Sequence, residues 1–306
     1  MNDKQALREP GESPSGASAH ELATYLRPAT HVQREFVRFT RLQRTLHGCL
    51  VISFLSLATT GLTLKFSYTK WAVFVSRLLG GFQIAGFIHR FAAVVMFTTF
   101  ILHLVDLSKL KKKKYGTWRA MLLGPNSMIP MKADLDEFIA TLKWFVHLGP
   151  KPEYGRWTYW EKFDYFAVFW GVFIIGSTGL TLWFPVFFTR FLPGAFINVA
   201  TIIHSDEALL ATGFIFTVHF FNTHLRPEKF PMDTTVFTGR MALAELRRDK
   251  RKEYEALVAS GELDAHLAEP HPEIVVKTIR AFAWVALSIG FSIVVWIVYA
   301  MLFAYR

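Results

Sequence analysis

The sequence predicts an all-α fold: an integral membrane helical bundle built from two repeated hairpins, with a fifth transmembrane helix beside them. Three observations carry this. The 306 residues are 52% hydrophobic and 16% aromatic, with 30 Phe. Apolar stretches of about 20 residues recur, long enough to cross a hydrocarbon core of about 30 Å. The chain also repeats itself, for ATTGLTLKF at 58–66 returns as GSTGLTLWF at 176–184, each followed by an apolar run that opens with Ile-His.

Taken in order, residues 1–45 are rich in Ser, Gly, Pro and charge without a long apolar core. They read as a partly disordered tail with no cleavable signal peptide. Five spans follow, Leu46 to Phe66, Ile84 to Leu107, Phe163 to Phe184, Val199 to Phe221 and Ile279 to Phe303. The first four make a domain over 46–235. Between the second and third spans, segment 108–162 carries Phe138, Ile139, Leu142 and Phe145 at helical spacing against Asp136, Glu137 and Lys143, which predicts an amphipathic helix lying at the interface. His147 follows as an interfacial histidine, and RWTYWEKFDY (156–165) reads as an aromatic belt leading into the third span. Segment 236–275 reads as a charged helix outside the membrane, with His266 and His271 solvated, and 276–306 holds the fifth span.

Charge orients the spans. Arg34, Arg38, Arg41 and Arg44 precede the first, eleven Lys or Arg lie in 108–162 and nine in 225–277, whereas the other two loops hold only Lys70, Arg77 and Arg190. By the positive-inside rule the N-terminus is cytoplasmic and the C-terminus external, as in a multi-pass protein of a bacterial inner membrane. The net charge of +10 then reflects basic segments against anionic lipid, and no nucleic acid is needed to explain it.

The chemistry-bearing residues are histidines. His89 and His103 lie fourteen residues apart on the second span, and His204 and His219 fifteen apart on the fourth. At 1.5 Å and 100° per residue, each pair sits about 21–22 Å apart along its helix and within about 60° around it. Ionisable groups at this depth are functional candidates by default. With both helices running the same way, His89 meets His204 at the outer level, and His103 and His219 lie at the inner level. That is the geometry of two stacked haems with histidine on both sides of each iron. Structural zinc wants four donors in one tetrahedron, not two tiers. A single cysteine, Cys49, excludes a thiolate-held iron-sulfur cluster, a CxxCH haem attachment and an internal disulfide. Gly61 and Gly179 in the TGL elements leave space for close helix approach or for a flat ring.

At these residues the chain resembles the membrane cytochrome b subunits of formate dehydrogenase, thiosulfate reductase and membrane-bound hydrogenase, over roughly residues 38 to 235. The carrying residues are Arg44-Thr-Leu-His47 with Thr60-Gly61-Leu62, then His89, His204 and His219. RWTYWEKFDY and HFFNTHLRPEKFPMD (219–233) are similar to a subgroup often partnered with multihaem cytochromes c. The resemblance implies two haem b groups, a quinone as substrate and an external redox partner subunit, such as a multihaem cytochrome c or an iron-sulfur protein. It pairs His47 with His219, where the duplication pairs His103 with His219, and both pairings stay open. A third haem on His47 and His224 is a further arrangement.

Haem iron held by two imidazoles has no open position for substrate, so electron transfer is the expected work. The expected function is a quinone-reactive b-type cytochrome carrying electrons across the membrane, part of a respiratory-chain oxidoreductase without a substrate-oxidising cofactor of its own. The alternative is a haem-containing anchor or sensor without quinone turnover. Arg90 is a candidate partner for a haem propionate, and Asp206 and Glu207 are expected to pair with Arg90 or to line a wet outer surface. His224, Arg226, Glu228, Lys229 and Asp233, just beyond the fourth span, are the candidate quinone contacts.

Overall fold

The structure is a computed structural model and describes residues 34–230 and 232–304. Five helices in it are long and apolar enough to cross a membrane: Arg41–Lys65, Phe82–Tyr115, Tyr159–Trp183, Ala195–Leu225 and Glu273–Ala304. They agree with the five predicted spans and extend beyond them at the ends. The chain is a multi-pass helical bundle. Residues 1–33 of the predicted N-terminal tail lie outside the described residues.

The two hairpins begin alike. The first span opens on a capping box in which the Gln43 amide donates to Thr40 Oγ1 (3.3 Å) and the Thr40 amide to Gln43 Oε1 (3.0 Å). The third span opens on the same device, Thr158 with Glu161, where the Thr158 amide donates to Glu161 Oε2 (2.8 Å). Such boxes satisfy amides that a helix start leaves without partners. Thr40 and Thr158 stand as far apart in the chain as Thr60 and Thr178, so the repeat runs from the cap through the TGL element.

Within each hairpin the two long helices pack along their length, and the hairpins touch one another much less, chiefly first span to fourth and second to third. The fifth span lies outside the four, against the first and fourth. Its contact is set by Gly290, where an added Cβ would stand 2.6 Å from ring carbons of both Phe216 and Phe220. Leu287 and Ile293 are buried around it, and Trp296 stacks on Trp71 at 5.2 Å near the other end.

At the basic end of the bundle the chain builds a small cap. Strand β1 (Glu35–Val37) lies between β2 (Arg240–Ala242) and β3 (Leu267–Ala268), antiparallel to both, with Phe36 opposite Met241 and Leu267. Phe36, Met241 and Leu246 form its buried core. Two expectations are corrected here. The last part of the N-terminal tail is a strand, and segment 236–275 is no single helix but two short ones, Leu243–Asp249 and Arg251–Ser260, between strands. The apolar side chain of Phe36 every second residue from charge, too short a pattern to read in sequence, explains the miss. His271 Nε2 donates to the Thr238 carbonyl (2.9 Å), so it is not simply solvated, whereas His266 is exposed and touches the Phe36 ring at 5.7 Å.

Ion pairs fasten the cap to the bundle. Buried Arg38 meets Glu253 at 2.9 Å and Glu161 at 3.6 Å, Arg156 meets Glu253 at 2.7 Å, and Lys162 of the third span meets Asp134 at 2.8 Å. That last pair docks the predicted interfacial helix, Lys132–Phe145, whose Phe138, Ile139, Leu142 and Phe145 are exposed. Lys229 is buried among Asp233 (2.9 Å), Asp249 (3.3 Å) and Glu245. Burial alone would lift the Asp233 carboxyl, but the Lys229 ammonium and bonds from Thr235 outweigh it and hold it below its ordinary value. Asp249 is lowered likewise, against its burial, by Arg248 and Lys229. Burial would depress Lys229, yet Asp233 and Glu245 leave it raised.

Two outcomes follow from this packing. Gly290→Leu drives a side chain into Phe216 and Phe220 and is expected to destabilise the bundle by about 1–3 kcal/mol, read as a lower unfolding temperature in detergent; Gly290→Ser, smaller, should lose less. The lowered carboxylates contribute stability that is present above their ordinary pKa and lost as pH falls through the lowered one, whereas Lys229 contributes below 10.5 and loses it above its raised value. The protection of amides in 243–260, each exchange rate taken relative to the intrinsic rate at the same pH, should therefore stay flat between about pH 5 and 7 and fall below about pH 3.5.

Candidate functional site

An imidazole inside a bundle has two ring nitrogens to satisfy, and the fold satisfies one each on His89, His204 and His219. His204 Nδ1 lies 2.9 Å from the Ile175 carbonyl and 3.5 Å from Thr178 Oγ1. A carbonyl only accepts, so Nδ1 carries the proton and a neutral ring presents Nε2 as a bare lone pair. His89 repeats this on the other hairpin, with Nδ1 3.0 Å from Thr60 Oγ1. The Thr60 hydroxyl donates to the Ser56 carbonyl (2.6 Å), and Thr178 to Ile174 (2.7 Å), so both hydroxyl oxygens are free to accept from the rings. The Thr-Gly-Leu element thus has a physical role. Its threonine holds the histidine of the neighbouring helix, and its glycine lets that ring approach, for a Cβ at Gly61 would lie 3.2 Å from His89 Cε1 and one at Gly179 2.9 Å from His204 Cε1.

His89 and His204 face each other across the two hairpins, ring centroids 6.2 Å apart and planes at 76°. Metal–imidazole bonds of about 2 Å put ring centroids on opposite sides of one ion about 6 Å apart. Among the described residues, no hydrogen bond engages Nε2 of either ring. Arg90, next to His89, is exposed and turns back over Gly86. Asp206 pairs with Lys65 at 2.8 Å on the surface, not with Arg90.

At the basic end His219 is held by an acceptor too, its Nδ1 2.8 Å from Asp164 Oδ2. The fourth span changes pitch here, with π-turns at Ile215–His219 and Phe221–Leu225. A π-turn takes an extra residue into one turn, so it absorbs the excess that distinguishes the fifteen-residue spacing on this helix from the fourteen on the second span. His47 lies within electrostatic range of both His219 and His224. Its Nδ1 and that of His224 are buried without a partner, as is Asp164 Oδ1. His103 turns elsewhere, its Nε2 2.8 Å from the Tyr165 hydroxyl, and its charged neighbour is Asp106. No hydrogen bond or ring contact joins His103 to His219 among the described residues.

The residues after the fourth span are largely committed. Lys229 and Asp233 belong to the ion cluster of the cap, Glu228 pairs with Lys151 at 3.4 Å, and Arg226 lies over the Trp160 ring (5.0 Å) while its Nε donates to the Asn222 carbonyl. Of that set only His224 keeps an unpaired buried nitrogen. Sequence reading missed Thr60, Thr178 and Asp164 as the groups that hold the rings. The signal was present, for the two threonines sit in the duplicated element and Asp164 is an acid at the edge of an apolar run.

Among the described residues no three His, Cys, Asp or Glu side chains converge as a metal-binding group. The histidines come in twos, which suits an ion that brings its own equatorial ligands. In comparisons with known proteins, no family model and no curated protein matches the chain. Gly179→Val is expected to push His204 off its carbonyl partner and destabilise the protein by about 1–3 kcal/mol; an unfolding midpoint equal to that of the unchanged protein would show that the ring tolerates the clash.

Proposed function

We propose that the chain is a quinone-reactive cytochrome b subunit of an inner-membrane respiratory complex, similar to those of formate dehydrogenase, thiosulfate reductase and membrane-bound hydrogenase. The observation that carries the reading is the His89–His204 pair: two rings from different hairpins, 6.2 Å apart, each held at Nδ1 with Nε2 left over. A haem b would fit this donor set, with His89 and His204 each giving its remaining ring nitrogen to the iron.

His89 and His204 hold the outer haem. His47 and His219 hold the inner one, supported by their electrostatic proximity, the Asp164 anchor on His219 and the unpartnered His47 Nδ1. When bound, the haems supply a one-electron ferric/ferrous couple at each of two depths. The protein's own contribution is orientation: Thr60, the Ile175 carbonyl and Asp164 fix ring tautomer and direction and raise ligand basicity. Quinone and quinol differ by two electrons and two protons, and the electrons would pass one at a time across the membrane between the quinone and an external redox partner subunit. The surplus of Lys and Arg at the cap end supports a cytoplasmic N-terminus and an external C-terminus.

Purified protein is expected to show reduced b-type absorption and two haems per chain by pyridine haemochrome. His89→Ala and His204→Ala should each retain one haem. His47→Ala should lose the other, and His103→Ala should keep both; the reverse result would move the inner ligand to His103. Protein without haem would overturn the reading.

A further inference from the structure

Resting on the quinone-reactive reading, we infer that His103 and Tyr165 form the headgroup site for the quinone ring, between the second and third spans near the basic end. The pair is a polar contact inside two apolar helices that haem ligation by His47 and His219 does not use. His103 Nε2 and the Tyr165 hydroxyl are 2.8 Å apart, and both side chains are only half-buried, so part of the pair is open to its surroundings. Buried or lipid-facing polar groups of this kind are costly unless they have a ligand or partner.

The hydrogen-bond inventory of the pair fits a ligand that alternates between two carbonyl oxygens and two hydroxyls. A neutral imidazole and a phenol bring two protons, and one is spent between them. If Tyr165 donates to Nε2, His103 keeps an N–H at Nδ1 that can donate to a quinone carbonyl. If Nε2–H donates to the Tyr165 oxygen, Nδ1 is a bare acceptor for a quinol hydroxyl and the phenol proton is free. Among the described residues no protein group hydrogen-bonds His103 Nδ1. Either redox form of the ligand is matched by a shift of tautomer, with no charge placed in the membrane.

The walls suit a flat ring. Phe169 lies 5.0 Å from both Phe100 and Tyr165 and 6.2 Å from the His103 ring, centroid to centroid. Asp106 stands one turn further toward the basic end on the helix of His103 and is electrostatically coupled to it, which gives released protons an acceptor on the way out. Tyr165 adjoins Asp164, the anchor of His219. A ring at His103 and Tyr165 therefore sits about one helix diameter, 10–12 Å, from that ligand. By contrast Arg226, Glu228, Lys229 and Asp233 are engaged in other pairs.

The test uses the full chain in lipid nanodiscs with a photoreactive azidoquinone as probe, labelled sites mapped by mass spectrometry, and haem counted in the same preparation. Saturable labelling is expected within 97–106 and 162–169, competed by a short-chain naphthoquinone. The double variant His103→Gln, Tyr165→Phe is expected to bind the probe at least tenfold more weakly with both haems retained, and Tyr165→Phe alone to fall between. Labelling confined to 222–233, unchanged affinity in the double variant, or loss of a haem from it would overturn the inference. Failure of the cytochrome reading is distinct, because it appears as a chain without haem, whatever the probe labels.

Discussion

The interaction on which the rest depends is the hydrogen bond from a histidine Nδ1 to a fixed acceptor on the neighbouring helix. In a medium without water an imidazole with two unpaired nitrogens would be costly, and one with both nitrogens paired to protein would be inert. The bundle takes the intermediate course three times, at His89 with Thr60, at His204 with the Ile175 carbonyl, and at His219 with Asp164. Each bond fixes a tautomer, aims a lone pair and ties two helices. The threonines can serve only because their own protons go to carbonyls one turn back, at Ser56 and Ile174. Local helix chemistry that would be a minor detail on a soluble surface here decides which nitrogen is available.

The spans, the duplicated hairpin and the facing of His89 with His204 were legible in the sequence because they depend on length, hydropathy and phase, which are properties of a single helix. The inner level was less legible, for reasons that have the same origin. An ideal helix carries His219 round by a further 100° relative to its counterpart, and only the π-turn at Ile215–His219 removes the discrepancy. His103 shares the spacing but not the neighbours, since Tyr165 occupies its Nε2. Spacing reports where a side chain sits on its own helix and says nothing of what the next helix offers it. The cap was the least legible part, because its three-residue strands and buried ion pairs arise between segments some 200 residues apart in the chain.

The electrostatics of the two ends differ in kind. At the end away from the cap the groups that hold the histidines are neutral, and the ion pair there, Lys65 with Asp206, lies at the surface. At the cap Arg38, Lys162, Lys229 and Glu253 are buried in ion pairs, with half-buried Glu161 beside Arg38 and with Asp134 and Asp233 as the partners of the two lysines. Such pairs give little net stability when their desolvation is counted, but their geometry penalises misplacement of any partner. They suit a region that must set the relative height of the first and third spans, since Arg38 precedes one and Glu161 begins the other.

The position of β1 has a consequence for assembly. It precedes the first span in the chain, yet it is the middle strand of its sheet, and its two neighbours come from residues 240–242 and 267–268. During synthesis the first four spans emerge before either neighbour exists. The clasp can therefore close only after both hairpins have entered the bilayer, and until then they remain free to part.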